Sequence, residues 1–191
     1  IKHLYKINKQ EFYVAMIALV AVLIWGILTG VLLAAIVTLL LLIKATSKPT
    51  VAFLGRIPGT KLYTDMERHP DNEKIEDVLL VRIESSIFYF NAEYIKEQIW
   101  EKIYSEPDSL KTVILDLNSS PRIDIAGARF LKHLFVDLKA KNVSLKIAEA
   151  RSEVRDSLRA EGLEVLLGHI SRSISVDDLV VEATKKFMNA E

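Results

Sequence analysis

The sequence contains no cysteine, and its 25 acidic residues balance its 25 lysines and arginines. Without cysteine, the chain has neither a disulfide framework nor a cysteine-based metal site, which permits a reducing compartment without requiring one. A net charge of zero gives no support to nucleic-acid binding, because that function depends on a basic surface. Charge is also missing locally, since residues 12–43 include no charged side chain. The chain therefore divides into an apolar N-terminal segment and a remainder of ordinary globular composition.

The apolar segment is too long for one straight membrane span. As a single helix, residues 12–43 would extend roughly 48 Å, against a hydrocarbon core of about 30 Å. The sequence WGILTG at residues 25–30 supplies two glycines in the middle of the run. These features predict a hairpin of two short membrane helices, at about residues 12–24 and 31–43.

Lysine and arginine flank the apolar segment on both sides, at Lys2, Lys6, Lys9, Lys44, Lys48 and Arg56. The positive-inside rule places both flanks in the cytoplasm, which requires an even number of crossings. A signal peptide is disfavoured because its apolar region is only about 7 to 15 residues long. A buried hairpin of a soluble protein is disfavoured because uncharged runs of this length are rare there. A single tilted or kinked span, with its flanks on opposite sides, stays open.

The remainder of the chain has the pattern of a small α/β domain. Residues 49–60 contain two prolines and two glycines and are predicted to be a linker. The predicted strands are residues 78–83, 87–90, 112–115 and 143–147, and the predicted helices begin at Asn91, Asp124, Ser152 and Ser175. Strands that alternate with helices predict a largely parallel sheet covered by helices.

Few residues have the spacing of a catalytic or metal site. The four histidines, His3, His69, His133 and His169, are too far apart in sequence to form a pair on one helix. Ser119 and Ser120 lack a nearby base motif for hydrolase chemistry. We expect no metal, no cofactor and no enzymatic activity. The enzyme alternative pairs Asp116 with Asp124 at the carboxyl edge of the sheet, where ligands commonly bind, but a base, metal ligand or phosphate loop is missing.

Five stretches resemble one family in their order along the chain: WGILTG, SKPTVAFLGRIPGTKLYTDMERHP, IFYFNAEYIKEQI, VILDLNSSPRID and IDIAGARFLKHL. Together they are similar to the C-terminal end of a sulfate permease family anion transporter, in which the last two membrane helices precede a cytoplasmic STAS domain. The resemblance implies membrane helices within residues 1–48, the linker at 49–60 and a STAS domain at 61–191.

The resemblance also implies a function. Such proteins are multi-pass carriers of the cell (inner) membrane, in contact with lipid and dimeric, that transport sulfate or another small anion such as bicarbonate or a dicarboxylate. The STAS domain would serve assembly, trafficking or regulation, with a cytoplasmic protein as a further partner. The anion would bind N-terminal to this chain, which begins with Ile1 and is expected to be a piece of a longer protein. The alternative is a membrane-tethered STAS module that binds a partner and transports nothing.

The segment Asp124, Ile125, Ala126 and Gly127 is the candidate regulatory or interaction loop. In the similar anti-sigma-factor antagonists, a serine directly after the aspartate is phosphorylated. Here Ile125 and Ala126 offer no hydroxyl, so we expect no phosphorylation switch. Asp124 is predicted to be the N-cap of a helix, and Gly127 to allow close approach to the neighbouring strand. Ile125 and Ala126 are predicted to form an apolar patch that contacts a protein surface or a membrane-domain loop.

Overall fold

The computed structural model describes residues 9–106 and 109–188. The chain forms two compact units, of which the first ends at Ser47 and the second begins at Lys48. The first unit contains helix α1 (Lys9–Trp25) and helix α2 (Ile27–Ser47). Gly26 separates them with a φ of 83°, a left-handed conformation that glycine adopts without a steric penalty.

The two helices of the first unit fold back on one another. A Cβ atom on Gly30 would lie 2.6 Å from the Cα atom of Val22, so only glycine permits this approach. The prediction of two helices with a break within residues 25–30 is confirmed, whereas their location in a membrane stays a prediction. The helices are longer than predicted because Gly26 alone makes the turn: its N–H donates to the Val22 carbonyl, and its own carbonyl accepts from Gly30.

By length and composition, α2 could cross a membrane. The apolar part of α1, Phe12–Trp25, is shorter. Length alone therefore identifies one candidate span among the residues that the structure describes.

The second unit is built on a five-stranded sheet in the order β2-β1-β3-β4-β5. Its strands are β1 (Val51–Arg56), β2 (Tyr63–Asp65), β3 (Val78–Ile83), β4 (Thr112–Asp116) and β5 (Ser144–Ala148). β3, β4 and β5 are parallel, whereas β1 is antiparallel to both of its neighbours. The predictions of strands at residues 78–83, 112–115 and 143–147 are confirmed to within one residue.

The linker predicted at residues 49–60 is wrong over half of its length. Residues 51–56 form β1, which lies between β2 and β3, and its Ala52 and Leu54 are buried. Gly55 is not a turn residue: a Cβ there would lie 2.9 Å from side-chain carbons of Asn72 and Met66. The globular unit therefore includes residues 48–60 and does not begin at residue 61.

Helices cover both faces of the sheet. They are α3 (Ala92–Ser105), α4 (Ile125–Ala140), α5 (Ser152–Ala160), α6 (Leu163–Leu167) and α7 (Val176–Met188). Leu79 and Val81 of β3 join the core beneath α3, α4 and α5, whereas Leu80 joins the core beneath α7. This alternation follows from the two-residue period of a strand. The predicted α/β fold, with a preceding helical hairpin, is confirmed.

The prediction of a strand at residues 87–90 is wrong. Ile87 forms an isolated bridge with Ile123, after which the chain turns into α3. The turn is closed by Asn91, whose Oδ1 accepts from the Phe88 N–H at 2.8 Å and whose Nδ2 donates to the Ser86 carbonyl at 3.0 Å. Asn91 occupies the N-cap position, as predicted, but its side chain is directed back into the preceding loop.

Candidate functional site

Two loops meet at the carboxyl ends of the parallel strands. Residues 84–91 follow β3 and residues 117–124 follow β4. Backbone hydrogen bonds join them: the Ile87 N–H donates to the Arg122 carbonyl at 3.0 Å, and the Asp124 N–H donates to the Ile87 carbonyl at 3.1 Å. The N–H of Glu84 also donates to the carbonyl of Thr50, just before β1. The chain therefore enters the second unit at this same edge of the sheet.

Asp124 connects the two loops through its carboxylate. One oxygen caps α4 by accepting from the Gly127 N–H at 2.7 Å, and the other accepts from the Tyr89 N–H at 2.9 Å. The predicted N-cap is confirmed. The contact with Tyr89 could not be predicted, because the two residues are 35 positions apart and no local pattern joins them.

Gly127 permits the close packing of α4 against the Ile87 segment. A Cβ atom on Gly127 would lie 2.6 Å from the Ile87 carbonyl oxygen and 2.9 Å from Cγ1 of Ile123. The predicted close approach is therefore present, but it is made to the irregular segment after β3. Because the nearest atom is backbone, a larger residue could be accommodated only by displacing that segment.

The residues between Asp124 and Gly127 face outward. Ile125 is 63% exposed, Tyr89 is 74% exposed, and Ala126 is also exposed. We name Tyr89, Ile125 and Ala126 the edge patch. It borders an open groove of about 640 Å³ whose other lining residues include Phe130, Arg129 and His133.

Sequence reasoning misses Tyr89, because the apolar run IFYF at residues 87–90 predicts a buried strand. Ile87 is fully buried, as that interpretation requires. Tyr89 instead faces solvent, with its ring 5.4 Å from that of Phe90 in an edge-on arrangement. The asparagine after the run was the only signal that the strand ended early.

Asp116 and Asp124, the two aspartates at this edge, both accept hydrogen bonds that stabilise the fold. Oδ2 of Asp116 accepts from Nε of Arg82 at 2.7 Å, and Oδ1 accepts from the Asn118 N–H at 2.9 Å. All four carboxylate oxygens of Asp116 and Asp124 therefore accept hydrogen bonds from the domain itself. Ser120 is also structural, because its buried hydroxyl donates to the Ile83 carbonyl at 2.8 Å.

Within residues 9–106 and 109–188, no three His, Cys, Asp or Glu side chains form a group that could hold a metal ion. The perturbed pKa values also belong to structural contacts outside the edge patch. Burial, followed by the hydrogen bond that the Tyr63 hydroxyl donates to Asp177, raises the pKa of Tyr63 to about 12. A hydrogen bond from the Ser175 side chain lowers the pKa of Asp178, its partner in the capping box of α7.

Comparison with known proteins assigns the domain. The family model described as the STAS domain matches residues 69–176. High affinity sulfate transporter 2 of Stylosanthes hamata is 29% identical over 185 residues, covering 93% of this chain and 28% of that protein. The chain thus spans about 28% of the length of this curated relative.

Solved structures share the fold. The murine Solute Carrier 26 family member A9 anion transporter, in its inward-facing state, has a TM-score of 0.86 and 19% identity, covering 96% of this chain and 30% of that one. The STAS domain of a SulP transporter from Vibrio cholerae has a TM-score of 0.50 and 18% identity, covering 65% of this chain and 94% of that one. The chain therefore belongs to the STAS domain family, and it is homologous to sulfate permease family transporters in their C-terminal STAS region.

Proposed function

We propose that this chain is the C-terminal part of a secondary anion transporter that carries sulfate or a related small anion, such as bicarbonate or a dicarboxylate. One observation carries the proposal: the match to a sulfate transporter covers 93% of the chain. The residues left out of that match are fewer than those of α1 and α2, so the similarity extends into the helical hairpin as well as the STAS domain. The anion binds in the part of the carrier that precedes this chain.

The hairpin forms the last two membrane helices of a multi-pass protein of the cell (inner) membrane, and the STAS domain lies in the cytoplasm. The exposure of the hairpin's apolar side chains supports this location: Leu23, Ile27 and Leu28 are 77%, 75% and 85% exposed. Such continuous apolar surface requires lipid or neighbouring membrane helices. Lys9 precedes the apolar run and Lys44 follows it, which favours a cytoplasmic location for both ends.

The STAS domain acts in regulation, assembly as a homodimer or partner binding, and it has no catalytic role. Asp124 and Gly127 hold the loop, and Ile125 and Ala126 present its surface. Because neither exposed residue has a hydroxyl, control through this loop depends on shape and apolar contact rather than on phosphorylation. The internal hydrogen bonds of all four carboxylate oxygens at this edge support a structural rather than a catalytic role for both aspartates.

The direct test is transport by the full-length protein. The complete reading frame, purified and reconstituted in vesicles, should take up labelled sulfate, bicarbonate or a dicarboxylate, and an excess of the unlabelled anion should compete. A protein that inserts into vesicles but transports none of these anions would contradict the proposal. A reading frame that begins near Ile1 would instead support the membrane-tethered regulatory module.

A second experiment tests the membrane topology of the hairpin. Because the chain has no cysteine, a single introduced cysteine is the only thiol that can be labelled. Single cysteines that replace Lys9 and Lys48 should react with an impermeant thiol reagent from the same side of the membrane. Labelling from opposite sides would reject the cytoplasmic placement of both ends and support a single span.

A further inference from the structure

A small polar pocket lies at the other edge of the sheet, where the amino ends of β4 and β5 meet α7. Its volume is about 220 Å³, and two lysines, Lys111 and Lys146, contribute to its lining. Pockets for larger organic ligands measure about 300 to 1,000 Å³, so this one suits a small ion. The Lys111 ammonium is 2.9 Å from a carboxylate oxygen of Asp77, which leaves Lys146 as the principal positive charge of the pocket.

Thr112 and Ser144 place two hydroxyl groups side by side in this pocket. They are paired across the parallel strands β4 and β5, and both line the cavity. Their side chains project towards α7, because Ile114 and Ala148 on the same faces of these strands join the core beneath α7. Thr112 is only 3% exposed, yet within residues 9–106 and 109–188 neither hydroxyl has a hydrogen-bond partner. Since a buried hydroxyl normally has a partner, this pair indicates a bound molecule.

Lys146 already holds an anionic group, the carboxylate of Glu182. Nζ of Lys146 is 2.6 Å from Oε1 of Glu182, whose side chain is 59% exposed. An ion pair with so exposed a partner contributes little stability, so Glu182 can turn into solvent and leave the ammonium to another anion. Asn142 also lines the pocket, and its side-chain amide has no hydrogen-bond partner in the described part of the chain. Ala183 of α7 carries only a methyl group, which leaves room above the strands.

From the pocket's size and its donors, we infer that it binds a small oxyanion such as sulfate. Oxygens of such an anion accept hydrogen bonds, and the ammonium, the two hydroxyls and the amide all donate them. The anion takes the place of the Glu182 carboxylate on Lys146, so an external ion replaces one ionic link between α7 and β5. This site belongs to the STAS domain and is separate from the transport site proposed above. Only the choice of sulfate as the probe rests on the proposed function.

The test is a calorimetric titration of the whole chain in detergent micelles with sodium sulfate, compared with sodium chloride at equal ionic strength. We expect saturable binding of sulfate and none of chloride, because a monatomic ion cannot reach the ammonium, the hydroxyls and the amide together. Amide hydrogen exchange locates the site. Sulfate should slow exchange of the Thr112 and Ser144 amides, which lie in the pocket, and leave that of the Gly127 amide in the distant loop before α4 unchanged.

Four single substitutions separate the pocket's donors from general charge effects. Lys146→Gln removes the ammonium and should weaken sulfate binding about tenfold. Thr112→Val removes one hydroxyl with little change of shape and should weaken it about fivefold. Glu182→Gln removes the competing carboxylate and should strengthen it about threefold, a gain that misfolding cannot produce. Lys139→Gln makes the same charge change as Lys146→Gln on the exposed end of α4, outside the pocket, and should leave the affinity unchanged.

Two results would overturn the inference. Absence of saturable sulfate binding would mean that the pocket holds only water. Equal weakening by Lys146→Gln and Lys139→Gln would mean that the heat reports general screening of charge. Neither result bears on transport, because uptake is measured separately with the full-length carrier. Conversely, sulfate binding by this chain together with a full-length protein that transports no anion would contradict the proposed function alone.

Discussion

Arg82 and Asp116 are directly paired across the parallel strands β3 and β4, with Nε of Arg82 2.7 Å from Oδ2 of Asp116. Asp116 is only 2% exposed, so its carboxylate depends on this partner. Removing one member of a buried ion pair leaves an uncompensated charge. We expect Asp116→Ala to lower the free energy of unfolding by about 2 to 4 kcal/mol, because Arg82 keeps some access to water. Amide hydrogen exchange of β3 and β4 would measure the loss.

The matched control removes both charges. A double variant, Arg82→Leu with Asp116→Leu, should recover much of the stability, since an apolar pair often replaces a buried ion pair with little cost. Unchanged exchange in Asp116→Ala would mean that the ion pair does not hold the strands, and would reopen a functional role for this acid.

The first residues of the globular unit provide a second prediction. A truncated chain that begins at Lys48 should unfold cooperatively, because it retains all five strands. A chain that begins at Lys61 lacks β1, so it loses the buried Ala52 and Leu54 and separates β2 from β3. It should aggregate or show no cooperative urea transition. Equal cooperativity of the two chains would contradict the central place of β1 in the sheet.

The sequence was sufficient where local chemistry determines the structure. The acidic N-cap at Asp124 and the capping box of Ser175 and Asp178 depend on residues within one helical turn. The turn at Gly26 is similarly local, since one glycine in an otherwise apolar run reverses the chain. These features could be predicted because their partners are close in sequence.

Tertiary contacts determine the parts of the structure that the sequence patterns do not predict. Residues 51–56 form a strand because β2 and β3 lie on either side of them, although Gly55 and Pro58 indicate a turn. Tyr89 is exposed because Asn91 ends the preceding segment and Asp124 holds its backbone from 35 positions away. Neither result could be derived from periodicity, because their causes are contacts between distant parts of the chain.

Two substitutions of Asp124 test whether its carboxylate bridges the two loops, because they remove different numbers of its hydrogen bonds. Asp124→Ala removes both and should cost about 1 to 2 kcal/mol, with faster amide exchange at Gly127 and Tyr89. Asp124→Asn keeps a good N-cap, but its single carbonyl oxygen can serve only one of these N–H groups well. We therefore expect protection at one of the two amides in the asparagine variant. Full protection of both in the alanine variant would contradict the bridging role.

The raised pKa of Tyr63 predicts a loss of folding stability at alkaline pH. Burial and the hydrogen bond to Asp177 raise its pKa to about 12, from about 10 in the unfolded chain. The folded state therefore favours the neutral hydroxyl, and this contribution is complete below about pH 10 and is lost as the pH rises towards 12. Tyr63→Phe should flatten the pH dependence of unfolding over that window, as measured by urea titrations.

Tyr89→Phe is the matched control for Tyr63→Phe, because the Tyr89 side chain is largely exposed. It should leave the alkaline decline unchanged. If both phenylalanine variants decline as steeply as the natural chain between pH 10 and 12, Tyr63 is not the group responsible.

Substitutions of Ile125 test whether the edge patch regulates anion uptake by the carrier. Ile125→Asp places a negative charge in the first turn of α4, where the helix dipole tolerates an acid, and the side chain is 63% exposed. Folding should therefore change by less than about 0.5 kcal/mol. A charge in the middle of an apolar contact carries a desolvation cost, so association of the patch and anion uptake by the full-length carrier should fall several-fold. Ile125→Ser, which removes the apolar group without adding charge, should have a smaller effect. Unchanged uptake and assembly in the aspartate variant would show that the loop is not a regulatory surface, whereas loss of folding would show that Ile125 is part of the core.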